Sequence, residues 1–186
     1  MEKKTIDIPE VLYSFNTGTP FTNCIECEVD FSNGEIDYFV EKVFRNYLGH
    51  KAQDVIIDYA ICMNCAHQHY QKISEESMLK IQQYLGPAML ENMQSTFSFE
   101  DELYQHCVVH GSPISESEEY QIFGHCKGDQ LLFDTPPYAI GWKAIDEMSS
   151  KISKSTKDEM DDFFNKHFTP DPNLFSSSTR PKLVLI

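Results

Sequence analysis

Cys24-Ile25-Glu26-Cys27 opens a stretch that closes on Cys62-Met63-Asn64-Cys65, and between the two pairs lie Tyr38–Tyr47 and Val55-Ile56-Ile57-Asp58-Tyr59-Ala60-Ile61. Both runs are rich in β-branched and aromatic side chains, which suit a pleated surface, so each is read as a strand. Leu48 to Asp54, with Gly49, supplies a reversal, and the runs pair as an antiparallel hairpin. A hairpin brings its two ends side by side. The two Cys-x-x-Cys pairs therefore meet, and the two-residue spacing curls each backbone so that both of its sulfurs face one point. Four thiolates can then surround an ion tetrahedrally, with Zn–S near ~2.3 Å, in a closed site with no coordination position left for chemistry. The reading is a structural Zn2+ on Cys24, Cys27, Cys62 and Cys65, supplying folding energy of order ~10–16 kcal/mol as apparent binding. A redox dithiol, iron in a tetrathiolate and unligated thiols are the other readings of the same four residues. The redox case lacks a helix after Cys27 to favour a thiolate there.

These paired knuckles with a hairpin between them resemble a zinc ribbon over about Cys24 to Cys65. In zinc ribbons the matching cysteines are the metal ligands, a role the resemblance carries to Cys24, Cys27, Cys62 and Cys65. Two features depart from that pattern. The 34 residues between knuckles exceed a compact ribbon, and Glu28 and Ala66 stand where a glycine often follows the second cysteine. The rest of the chain resembles no characterised family, and its texture is similar to that of bacterial-type hypothetical proteins.

Outward from the hairpin the pattern turns helical. Ile6 to Phe15 is a short amphipathic opening, helix or strand, followed by a turn-rich approach to Cys24. Ser74 is a helix N-cap followed by Glu75 and Glu76, with Met78, Ile81 and Leu85 on one face. Gly86-Pro87 is expected to end that helix and start a second, through Met89, Leu90 and Met93. A third short helix is expected over Glu100 to His106, an exposed loop over 108–118, and strands at Tyr120 to Phe123 and Gln130 to Phe133 joined by a turn from Gly124 to Asp129. Pro136-Pro137 breaks the second strand. Trp142 to Ile152 suits a helix, and another starts near Ser155, with Met160, Phe163, Phe164 and Phe168 as its core stripe. Lys182 to Ile186 is expected as a terminal strand or docking tail. The fold class is α+β: a zinc-ribbon-like β region at 1–70, a helical segment at 71–107 and a strand-helix region at 108–186, sharing one continuous core.

Composition limits the partners. The 186 residues carry 15 Lys and Arg against 29 Asp and Glu, a net charge of -14, and 41% are hydrophobic, enough for an ordinary core. Residues 1–70 alone hold five Lys and Arg against eleven Asp and Glu, and no Lys or Arg lies between Lys80 and Lys127. Nucleic-acid affinity depends on cations that displace counterions from phosphates, so DNA, RNA and anionic membranes are excluded as expected ligands. The start has no apolar core of signal-peptide length, and nowhere do eighteen apolar residues run together, so the expected compartment is the cytoplasm. Six cysteines in that compartment point to metal ligands or buried thiols before disulfides.

A second group, His106, Cys107, His110, His125 and Cys126, gathers soft ligands around the 108–118 loop. Three of them around a metal would leave a position for an activated water, with Glu118 or Glu119 as general base, and the enzyme reading is a metal-dependent hydrolase. Singly packed side chains are the expected outcome. Asp58–Cys65 also aligns with Glu119–Cys126, Phe123 standing where Cys62 does, which reads as a decayed second knuckle. His67 and His69 are read as neighbours of a tetrahedron that four thiols already complete. No phosphate loop, nucleophile elbow or His-Glu-x-x-His pair is present. The leading expectation is a zinc-stabilised binding or regulatory module for another protein, with the hydrolase and a thiol redox sensor as rivals.

Overall fold

A computed structural model describes residues 4–95 and 103–168. In chain order the strands are β1 (Thr5–Asp7), β2 (Asp37–Asn46), β3 (Gln53–Cys62), β4 (Glu119–Lys127), β5 (Gln130–Leu132) and β6 (Tyr138–Gly141). The helices are α1 (Met63–Tyr70), α2 (Glu75–Ser95), α3 (Trp142–Ser149) and α4 (Lys154–His167). The fold is α+β. The strands form one six-stranded antiparallel sheet in the order β1-β5-β4-β2-β3, with β6 paired to the Tyr120–Phe123 half of β4.

The expected hairpin is its centre. β2 pairs with β3 from Tyr38 opposite Cys62 to Asn46 opposite Gln53, with one irregularity after Val43. On its other flank β2 pairs with β4, which places Cys126 opposite the same Tyr38. β2 shows only rough alternation because both of its faces are covered. One face carries Tyr38, Val40 and Lys42. Phe31 stacks on Tyr38 at 4.1 Å, and the Lys42 ammonium donates to the Tyr13 carbonyl, so the irregular N-terminal segment lies over this side. The other face carries Phe39, Glu41 and Val43. There Tyr59, opposite Glu41, donates to its carboxylate at 2.6 Å and meets the Phe163 ring of α4 at 5.3 Å. Glu41 and Lys42 are both buried, and each is hydrogen-bonded, as burial of a charge demands.

Several expectations are corrected. α2 runs through Pro87 without a break. The ring removes one amide donor, and both Pro87 and residue 83, whose carbonyl loses that donor, lie exposed, so the helix continues on its packed side through Ile81 and Leu85. Residues 103–106 are turn and bridge rather than helix: Tyr104 has φ 67°, and His106 and Cys107 form bridges to Pro113 and Ala139. The 100–102 part of that expected helix and the 182–186 tail lie outside the described residues. Gly124 to Lys127 continue β4, and the turn to β5 shrinks to Gly128-Asp129. The 138–141 stretch after Pro137 forms β6, an unforeseen strand with all four residues buried. The decayed knuckle is likewise absent, since Phe123 to Cys126 runs as continuous strand, with Phe123 stacked on Tyr138 at 5.2 Å.

The helices begin as their residues dictate. The Ser74 hydroxyl accepts from the Ser77 amide at 3.3 Å, and Ser153, two residues before the expected start, caps α4 by accepting from Thr156. These two N-termini abut, and the Ser153 amide donates to the Ser77 hydroxyl at 2.8 Å. Among the described residues, no helix is long and apolar enough to cross a membrane.

Candidate metal centre

The free end of the hairpin positions the site. β3 ends on Cys62, which is both the last strand residue and the N-cap of α1, its sulfur accepting from the Cys65 amide at 3.4 Å. The second Cys-x-x-Cys is therefore a strand-to-helix junction. Ala66 needs no special conformation there because it lies inside α1. The first pair is a tight loop. The Cys24 amide donates to the Val29 carbonyl at 3.0 Å, the Glu28 amide returns to the Cys24 carbonyl at 2.9 Å, and Asn23 and Asp30 form a bridge beneath. Glu28 takes φ 61°, the left-handed conformation for which glycine is favoured. The missing glycine is thus replaced by a strained glutamate. The Ile25 amide donates to the Ala60 carbonyl at 2.8 Å and pins this loop to the outer edge of β3.

These constraints bring the sulfurs of Cys24, Cys27, Cys62 and Cys65 within 4.8 Å of one another. The Cys27 and Cys62 sulfurs are 3.8 Å apart, and all six cysteines are free thiols. A disulfide would draw that pair to about 2.0 Å, whereas a tetrahedron with metal–sulfur distances near 2.3 Å has edges of about 3.8 Å. The Cys62 amide donates to the Cys24 sulfur at 3.3 Å, and the Val29 amide holds the Cys27 thiol below its ordinary value. Burial pushes the Cys62 and Cys65 thiols up, which outweighs the favourable helix start at Cys62. Only Cys27 of the four is exposed. The four sulfurs are positioned to bind a metal ion.

Glu26, between the first two cysteines, was not singled out in the sequence, yet it anchors the surroundings. Its Oε1 accepts from His69 Nε2 of α1 at 3.0 Å and from His167 Nε2 of α4 at 2.8 Å, and its Oε2 pairs with Lys166. Burial works to raise the Glu26 carboxyl, but donation from Lys166, His167 and His69 draws it down to about 2. His69 Nδ1 lies 3.5 Å from Glu159, which also pairs with Lys72 at 2.6 Å. Glu26, His69, Lys72, Glu159 and Lys166 border a cleft of about 340 Å³ that reaches Cys65. His69 is thus a buried neighbour of the site, and His67 is exposed on α1 beside Gln71. No local signal marked His167, which is 141 residues from Glu26 in sequence.

The second soft-ligand group is dispersed. Cys107 is packed against β6, its sulfur accepting from the Gly141 amide at 3.4 Å. His110 faces Glu147 at 3.4 Å, and His125 lies 3.4 Å from Asp37. Cys126 is fully buried, and burial raises its thiol to about 12. Among the described residues, the group of three or more converging His, Cys, Asp or Glu donors is the four-cysteine one, and His106, Cys107, His110, His125 and Cys126 form none. No family model, curated protein or solved structure matches the chain.

Proposed function

We propose that the chain is a zinc-stabilised, zinc-ribbon-like binding module, in which Cys24, Cys27, Cys62 and Cys65 hold one structural Zn2+ and the acidic surface recognises a partner protein in a reducing compartment such as the cytoplasm. The observation that carries the metal assignment is the convergence of four sulfurs within 4.8 Å at the joined ends of the hairpin. Zinc suits this donor set because tetrahedral thiolate coordination is among its preferred closed geometries and needs no redox partner. The ion joins the irregular N-terminal segment to the last residue of β3 and the first turn of α1, so its binding energy becomes folding energy. Four thiolate ligands leave no open position, which favours a structural over a catalytic role for this centre. The partner reading rests on charge: at a net -14, a basic protein surface is the complementary one.

The test is elemental analysis with one variant. The purified chain should carry one zinc per molecule, and Cys62→Ser should release it and lower the melting temperature by about 10 °C or more, since this residue serves both as ligand and as helix cap. Full zinc content in Cys62→Ser would remove the assignment.

A further inference from the structure

The Glu26 carboxylate belongs to the metal loop by sequence and to two helices by contact. It sits between Cys24 and Cys27, and its three partners are His69 on α1 and Lys166 and His167 at the last turn of α4. The side chains of Glu26, His69 and His167 are 12%, 10% and 10% exposed, so the two histidine contacts are largely dehydrated, while Lys166 reaches the carboxylate from the solvent side. Exposed ion pairs contribute little, but hydrogen-bonded charges taken out of water hold their geometry tightly. The loop bearing Glu26 is short and irregular, tied to the sheet by the Ile25 amide and to itself by its turn bonds. Two of its residues are the ligands Cys24 and Cys27.

We infer that metal occupancy controls the docking of the C-terminal end of α4, with Glu26 as the latch between them. With the ion in place, the Cys24–Cys27 loop is fixed from both sides and its carboxylate is presented to Lys166 and His167. When the ion leaves, the loop keeps its backbone bonds, the Asn23 side chain on the Glu28 carbonyl and the Cys62 amide on the Cys24 sulfur, but loses the tie through Cys27; the carboxylate is no longer held in register, and the last turn of α4 loses its polar anchor. What remains there is ring packing: Phe163 against Tyr59 at 5.3 Å and Phe168 against Tyr59 at 5.8 Å. Release of the turn uncovers these rings and widens the cleft bordered by His69, Glu159 and Lys166. The zinc-free chain thereby presents an aromatic surface that the zinc-loaded chain conceals. This inference rests on the proposed metal site, and its test separates the two.

Amide hydrogen exchange is followed by mass spectrometry on the full chain, zinc-loaded and after chelation, with zinc content measured on each sample. Peptides spanning 163–168 should exchange about tenfold or more faster after chelation, while those of β2 and β4 keep their protection. Zinc-loaded Glu26→Gln should reproduce the faster exchange at 163–168 with one zinc still bound, and chelating it should add little more there. His167→Ala, altered on the helix side of the latch, should behave in the same way. Unchanged exchange at 163–168 in both zinc-loaded variants overturns the latch. Equal further opening on chelation in the variants and the parent also overturns it, because the coupling then bypasses Glu26. Loss of protection across the whole sheet on chelation overturns it too, because the turn is then not released separately. A parent chain that binds no zinc removes the metal site itself, which the zinc measurement reports directly.

Discussion

Gly124 shows what a single residue can hide. As a glycine beside His125 and Cys126 it reads as a turn, yet it lies in β4 opposite Val40, directly under Leu12. A Cβ built there would stand 2.6 Å from Leu12 Cδ1 and 3.1 Å from Leu131 Cδ1, and both of those side chains are fully buried. The glycine makes room for the N-terminal segment against the sheet, a demand set first by Leu12, more than a hundred positions away. Gly124→Ala should therefore lower stability by about 1–3 kcal/mol through overpacking, measured by urea unfolding; a neutral result would show that Leu12 can move aside. The cysteines are legible for the opposite reason. A two-residue spacing is local chemistry, and the expectation named all four converging sulfurs. Glu28 lies between these cases: the missing glycine was visible in the sequence, but that glutamate would adopt φ 61° in its place was not.

Among the elements, β2 and β3 were legible because their runs are long and Gly49 marks a reversal between them. The ends of the helices were less so. Pro87 is a strong stop signal in general, and it failed here because the lost backbone bond lies on an exposed side of α2. β6 escaped notice because four residues after Pro-Pro give too short a pattern, and its strand character comes from pairing with Tyr120–Phe123. The starts of α2 and α4 form a single unit, since the hydroxyl of Ser77 receives the Ser153 amide at 2.8 Å and both Ser77 and Thr156 are fully buried. Removing that hydroxyl takes the partner from the half-buried Ser153 amide at the mouth of the other helix. Ser77→Ala should cost about 1–3 kcal/mol by thermal or urea unfolding, whereas Ser155→Ala, at an exposed position, should cost less than about 0.5 kcal/mol. Equal effects would show that the shared cap carries no special weight.

For the whole molecule, charge and metal carry the account. With a net -14 and no Lys or Arg between Lys80 and Lys127, the chain should show no sub-micromolar affinity for duplex or single-stranded DNA by fluorescence anisotropy at about 150 mM salt. Sub-micromolar binding under those conditions would contradict this expectation. The α+β class was legible from the order of patterns. The flanking of β2 by β4, and the meeting of Glu26 with His167, were not, because nothing local encodes a contact across 141 residues. The dispersal of His106, Cys107, His110, His125 and Cys126 follows from the same topology, which puts Cys107 beside β6 and Cys126 inside β4. The central claim is that the joined ends of the hairpin hold a metal in four thiolates, and zinc K-edge X-ray absorption on the purified full chain tests it most directly. A first shell of four sulfur scatterers at about 2.3 Å is expected; a first shell containing nitrogen or oxygen, or a chain that carries no zinc, would contradict the four-thiolate site.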